Sequence, residues 1–417
     1  MPPQISDQLK RDFFWNTASS VMGSLSIVLL QLVVIRAVGA DAGGLFALAF
    51  ALGQQFQMLG AYEVRPFQAT DVAGQFRFGT YHATRLITTG LMVVGILGYT
   101  LLGARPPLEA AVVMLVCFLR VFDAFEDVFY GEFQRLGRLD IAGRAFFLRT
   151  LVTTVSFIGT VVLTQDLLVA CLVTIVLSAI ATAAFIIPSA RGMFPLRPSF
   201  ERGPITDLLR ACLPLFAASF LAMYLTTAPR LGIDHFLSQA DQAHYAVLFM
   251  PALAINVLSL FIFRPLMTRM ATRWADGDTR GFLALIGGGI LAALGAFVVT
   301  FAVSWAIGIP LLGVLAQVDL AGRLPELLVL VGGGALNALG VILYYALVTV
   351  RRRHLILASY VVAGVVVTGL AWLLIPGLDL MGACLAYGGA MLAFALLAGA
   401  TLLVTLRGAA RHTTGAG

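Results

Sequence analysis

Apolar residues in this chain gather in long runs, not in alternation with polar ones. The runs fall near residues 14–37, 44–63, 84–103, 108–130, 144–164 and 167–188, and then near 208–230, 242–263, 281–308, 325–350, 354–376 and 380–406. Each has roughly the ~20 residues that an α-helix needs to cross the hydrocarbon of a bilayer. In lipid every backbone N–H and C=O must be paired within the chain, so such runs fold as helices. The ten-residue alternation of a membrane β-barrel is missing. The pattern predicts an all-α integral membrane protein of about 12 transmembrane helices. A polar stretch from Ser189 to Asp207 divides them into an N-terminal six-helix lobe (1–190), a cytoplasmic linker (191–206) and a C-terminal six-helix lobe (207–417).

Composition supports the membrane class. Of 417 residues, 60% are hydrophobic and 12% charged, about half the charged share of a soluble domain. The net charge of +6 is no nucleic-acid signal, because the basic residues sit between spans. Lys10 is the one lysine among them. Of the 27 Lys and Arg residues, twenty-one fall on one side when alternate loops are grouped with both termini. Only Arg36, Arg105, Arg230 and Arg323 fall on the other, and Arg120 and Arg149 lie within spans. Positive loops stay inside, so both termini are expected in the cytoplasm and the chain in the cytoplasmic (inner) membrane. The first run is a full span and not a short signal-peptide core. The outward loops are short, the longest running from about Pro310 to Pro325.

The two sets of six look related. The second span ends at Arg65-Pro66 and the eighth at Arg264-Pro265, 199 positions later, and Phe46 matches Tyr245 at the same offset. Six spans per half give both halves one orientation, the parallel type of repeat found in some transporters. Such a duplication places the substrate path between its halves.

Charges inside a span cost ~2.5–3.5 kcal/mol each on insertion scales, so they face partners or water-filled cavities. The fourth span is the richest. Arg120, Asp123, Asp127, Tyr130 and Gln134 recur every three or four residues and share one helix face, with Glu126 beside the stripe. One reading makes Asp123, Glu126 and Asp127 a carboxylate cluster that binds a coupling H+ or Na+. The other makes Arg120 an ion-pair partner that merely neutralises buried charge. Arg149, one turn into the fifth span, either presents a cation to an anionic substrate or pairs with the fourth-span acids. Arg36 and Arg230 close the first and seventh spans, as vestibule cations for phosphate or as residues that snorkel to water.

Polar residues thread other spans. Asn16, Ser20, Ser24 and Gln31 do so in the first, and Gln54 and Gln57 in the second. They face a cavity or hydrogen-bond between helices. Pro214 and Pro251 interrupt the seventh and eighth spans and predict kinks. The second half offers no matching acids, only Asn337, Tyr344 and Tyr345 in its tenth span.

The motif inventory contains no enzyme signature: no GxxxxGK[ST], no HExxH, no GxSxG. Cys117, Cys171, Cys212 and Cys384 lie apart within apolar runs, without metal or disulfide spacing. No metal and no cofactor are expected.

Three blocks resemble bacterial polysaccharide-biosynthesis membrane proteins. They are Arg65-Pro66-Phe67-Gln68-Ala69-Thr70-Asp71, the stretch from Phe122 to Gly131 continuing through Gln134 and Arg138-Leu139-Asp140 to Arg149, and Ala228-Pro229-Arg230 with Asp234, Met250-Pro251-Ala252 and Asn256. These proteins belong to the multidrug/oligosaccharidyl-lipid/polysaccharide exporter superfamily. The resemblance implies a V-shaped pair of lobes. It also implies flippase activity toward an undecaprenyl-pyrophosphate-linked oligosaccharide, with Arg36, Arg149 and Arg230 near the path. Membrane lipid and polysaccharide-assembly proteins would be the partners of such a cell-envelope transporter, for capsule or lipopolysaccharide. The alternative within the superfamily is a cation-coupled drug antiporter. A membrane-embedded polymerase or glycosyltransferase is the rival from another class, and it would need a larger loop domain outside the membrane.

Overall fold

The computed structural model describes residues 3–71, 73–350 and 353–414, with side chains left out at 3–6, 256–268, 353–354 and 407–414. The described chain is helical nearly throughout: α1 (Pro3–Val38), α2 (Ala40–Ala61), α3 (Val64–Thr70), α4 (Phe78–Leu102), α5 (Pro107–Arg135), α6 (Leu139–Thr164) and α7 (Leu167–Ala190). There follow α8 (Arg202–Phe236), α9 (Gln239–Leu248), α10 (Met250–Ala275), α11 (Thr279–Val303), a π-helical turn at Ser304–Gly308, α12 (Ile309–Ala316), α13 (Leu324–Thr349) and α14 (Arg353–Thr414).

Among the described residues, eight helical stretches are long and apolar enough to cross a membrane. The other crossings are legible from what keeps them out of that set. Three glutamines, Gln54, Gln55 and Gln57, dilute α2, and α5 carries a run of charges. α14 is two helices, because Asp379 has non-helical dihedrals (φ 50°, ψ −131°). Counting α9 with α10, and α11 with α12, gives about twelve membrane helices.

The helices follow the apolar runs with a few corrections. The predicted outward loop 310–325 is partly helix, since α12 extends the ninth span through the π-turn to Ala316. Pro251 does mark a break: α9 ends at Leu248, and Pro251 sits in the first turn of α10, where its missing N–H has no helical partner to lose. At Pro214 the helix is not interrupted, and α8 runs through it as one element.

The chain forms two compact units, Met1–Met223 and Tyr224–Gly417. The boundary therefore lies inside α8, later than the polar stretch from which sequence places it. That stretch is packed and not free. The Ser199 N–H donates to the Gly79 carbonyl at 2.8 Å, and His82 Nδ1 lies 2.8 Å from the Leu196 carbonyl. The Phe194 ring packs against Phe78 of α4 and, edge-on, against Phe133 of α5.

In the first unit α5 is the central helix, packed on α2, α3, α4, α6 and α7, while α1 lies along α6. Small residues allow the close crossings. A Cβ at Gly143 would stand 2.6 Å from the Trp15 carbonyl carbon, so α6 meets the α1 backbone itself. In the second unit α13 packs on α14, α10 and α11. The Phe46/Tyr245 correspondence has a structural counterpart. Both residues are fully buried. Each packs on the phenylalanine four residues on, Phe46 on Phe50 with the rings tilted and Tyr245 on Phe249 with the rings stacked, and the centroids are 5.8 Å apart in both pairs. Arg264-Pro265 lies outside the residues with described side chains.

Candidate functional site

Helix α5 packs on five neighbours, and its charges find partners within the first unit. They form two connected clusters. In the first, Arg120 Nη1 donates to Asp123 Oδ2 at 2.6 Å, and Asp123 also accepts from Arg149 of α6. Arg149 Nε lies 2.7 Å from Glu126 Oε2. Glu126 has no exposed surface and accepts further hydrogen bonds from Tyr130 Oη (2.7 Å) and from Thr182 of α7. Arg120 rests on the Phe50 ring of α2, 4.0 Å from its centroid. One guanidinium thus bridges two carboxylates, and four helices, α2, α5, α6 and α7, supply the cluster.

The second cluster surrounds Asp127, one turn further along α5. Arg85 Nη2 donates to Asp127 Oδ2 at 2.8 Å, and Arg65 Nη1 lies 3.4 Å from Oδ1. Arg85 has no exposed surface. It also donates to the Gly60 carbonyl at 2.6 Å, which takes the Thr88 hydroxyl at 2.7 Å as well. Helix α2 ends at Ala61, so the Gly60 carbonyl lacks a donor within its own helix and is open to these side chains. The turn beyond it is held in an uncommon shape, with Tyr62 (φ 46°) and Glu63 (φ 52°) both left-handed. Tyr62 stacks on Phe216 (4.3 Å), Glu63 takes a hydrogen bond from Ser219, and Gln55 Nε2 donates to the Phe220 carbonyl (3.1 Å), all on α8. Arg65 joins the clusters, donating to Gln134 (3.4 Å) while lying over the Tyr130 ring.

Between α3 and α4, outside the membrane helices, Asp71 closes the loop. It accepts from the Gln75 and Phe76 N–H groups (2.8 and 3.1 Å) and from Tyr81 Oη (2.8 Å). Burial pushes its carboxyl up, but these three donors outweigh burial and hold it below the usual carboxylate range.

The structure sorts the sequence candidates. Asp123, Glu126, Asp127, Arg120 and Arg149 come together. Arg149 is nearly sealed and paired with two acids, so it stands as a partner of the fourth-span carboxylates and not as an open cation. Arg120 pairs with Asp123 and not Asp127. The first-span stripe does not act as one surface. Asn16 is exposed, and its carbonyl accepts from Ser19 and Ser20. Ser24 bonds the Ser20 carbonyl, and Gln31 pins α1 to the Gly43 carbonyl of α2 at 2.9 Å. Gln54 is half-buried, whereas the cross-helix bond comes from its neighbour Gln55. Arg36 is exposed in the last turn of α1. Arg230, in the second unit, lies over the Tyr245 and Phe249 rings.

Sequence reasoning misses Arg85, which the charge pattern assigns to a cytoplasmic loop. It lies seven residues inside α4. The signal available was the acid stripe itself, since the one fourth-span cation, Arg120, could pair with Asp123 or Asp127 but not satisfy both. Among the described residues no group of His, Cys, Asp and Glu could hold a metal ion.

No protein-family model matches the chain, and no characterised protein matches it in sequence. Solved structures do match in fold. A eukaryotic MATE transporter aligns with TM-score 0.66 at 11% identity, over 95% of this chain and 96% of that one. A multidrug resistance MATE family transporter of the MOP superfamily, in an inward-facing conformation, aligns with TM-score 0.63 at 15% identity over 95% and 96%. A MOP superfamily transporter from Pyrococcus furiosus, described as having a binding pocket of reverse polarity that suggests a different function, gives 0.58 at 14% over 95% and 96%. The chain therefore has the fold of MATE transporters along nearly its whole length, that of a multi-pass membrane protein.

Proposed function

We propose that this chain is a cation-coupled transporter that moves small molecules across the cytoplasmic membrane in exchange for H+ or Na+, by alternating access. The observation that carries the reading is Glu126: a carboxylate without exposed surface that shares Arg149 with Asp123. An arginine between two acids has two pairings. Adding a proton or Na+ to one carboxylate hands the guanidinium to the other, which gives a bistable element for an ion to bias. The fold supports the reading, because related structures are described in outward-facing and inward-facing conformations. The excess of Arg on one side of the spans supports termini in the cytoplasm.

The sequence resemblance points to another cargo, a pyrophosphate-linked oligosaccharide. That cargo needs cations free to neutralise it. In the first unit Arg65, Arg85, Arg120 and Arg149 all have carboxylate partners. Two of the structural matches are described as multidrug resistance transporters, and none of those reported supports the flippase reading or partners in polysaccharide assembly.

Reconstituted vesicles test the proposal. With an inward H+ or Na+ gradient, a small organic dye is expected to move against its own gradient, and collapsing the ion gradient should stop it. Dye movement that ignores both ions, or none from a folded protein, sinks it.

A further inference from the structure

The two matching aromatic pairs carry arginines of different electrostatic standing. In the first unit Arg120 lies on Phe50 of the Phe46–Phe50 pair and is neutralised by Asp123 at 2.6 Å. In the second unit Arg230 of α8 lies over the pair formed by Tyr245 of α9 and Phe249 at that helix's C-cap, 5.3 and 5.6 Å from the two centroids. Among the described residues no carboxylate is within ion-pair range of Arg230, and no acceptor takes its N–H groups. The nearby acids of its unit are committed elsewhere. Asp241 caps α9 through Ser238 and faces Arg323, Glu326 pairs with Arg323, and Asp234 accepts from Gln239.

We propose that Arg230, on its Tyr245–Phe249 platform, is a binding site for an oxyanion group, a carboxylate or a phosphate, on the transported molecule. A guanidinium seated on rings presents its N–H edges outward, a fork that fits two oxygens of one anion. A cation within a membrane helix calls for a counter-charge, and nothing in the described protein supplies it. The face of α9 that carries the platform also holds unmet polar groups. The Gln242 amide and the Tyr245 hydroxyl are buried without hydrogen-bond partners. Gln242, Tyr245 and Phe249 follow at i, i+3 and i+7, so they share that face. Phe46, at the position matching Tyr245, has no hydroxyl, so the anion-binding chemistry belongs to the second unit alone.

That the bound anion is cargo rests on the transporter reading; the binding itself does not. The test uses the full chain in detergent, with thermal unfolding followed in sodium acetate, sodium phosphate, sodium chloride and a polyprenyl phosphate. Acetate or phosphate is expected to raise the unfolding midpoint saturably, and Arg230→Gln to weaken half-saturation by ~10-fold or more. Arg230→Lys, which keeps charge but loses the fork, should fall between. Arg144→Gln, at an exposed position of α6, should behave as wild type. If Arg230→Gln does not fold, the Arg230→Lys shift decides. No midpoint rise in the wild type, an equal rise in chloride, or an unchanged response in Arg230→Lys and Arg230→Gln overturns the site. A response to the polyprenyl phosphate alone keeps the site but assigns it to a lipid headgroup, and the small-molecule reading then falls. Intact binding without transport in vesicles would sink that reading and leave the site standing.

Discussion

Arg85 and Asp127, forty-two positions apart, meet at 2.8 Å with the arginine wholly enclosed. An enclosed charge that loses its partner costs more than the pair contributes, about 3–5 kcal/mol. Asp127→Leu, which leaves that enclosed guanidinium without its carboxylate, should therefore lower the unfolding midpoint of the detergent-purified protein, by roughly 3 kcal/mol. Arg85→Leu with Asp127→Leu should regain part of that loss. A double variant no more stable than the single one would mean that the arginine acts through packing.

Glu126 makes a separable prediction. Glu126→Gln keeps the size of the side chain and removes the ionisable group, leaving Arg149 to Asp123. Ion-driven transport should fall at least ~10-fold while cargo binding stays near wild type. Tyr130→Phe removes one hydrogen bond to the carboxylate and should reduce ion-driven transport less than Glu126→Gln does. Transport by Glu126→Gln that still follows the gradient would assign coupling to another group.

Asp71 predicts a pH dependence of stability. Its carboxyl titrates below the usual value in the folded chain. Its stabilising contribution is then complete above the unfolded pKa and fades as pH falls through the lower, folded one. Asp71→Asn should cost ~1–3 kcal/mol at neutral pH. Its unfolding midpoint should converge with that of the wild type as pH drops below about 4. Parallel curves down to pH 3 would contradict this.

At Gly143 the obstacle is backbone, which cannot rotate away. Gly143→Ala should cost ~1–3 kcal/mol through overpacking, read as a lower unfolding midpoint. Gly159→Ala, on the same helix with open space around it, should be neutral or slightly stabilising. Equal effects at both sites would remove the argument from the α1–α6 crossing.

Spans were legible because a bilayer imposes one length and one composition on every crossing. The stripe from Arg120 to Gln134 was legible because helical spacing is a local property. What each charge pairs with was not. Arg149 meets Asp123 from another helix, twenty-six positions away, and Arg85 reads as a loop charge because the apolar run begins at its doorstep. Gln55 and not Gln54 crosses to α8, a matter of helix rotation that a stripe of glutamines leaves open. Ser20 and Ser24 bond their own helix, a local alternative open to any membrane serine.

The left-handed pair Tyr62–Glu63 has one more consequence. By ending α2 where it does, it turns a main-chain oxygen, that of Gly60, into a ligand for Arg85 and Thr88. Replacing side chains one at a time leaves that oxygen in place, so a mutational scan would score Gly60 by its missing side chain and miss its carbonyl. An ester in place of the amide between Gly60 and Ala61 would weaken the acceptor and leave every side chain untouched.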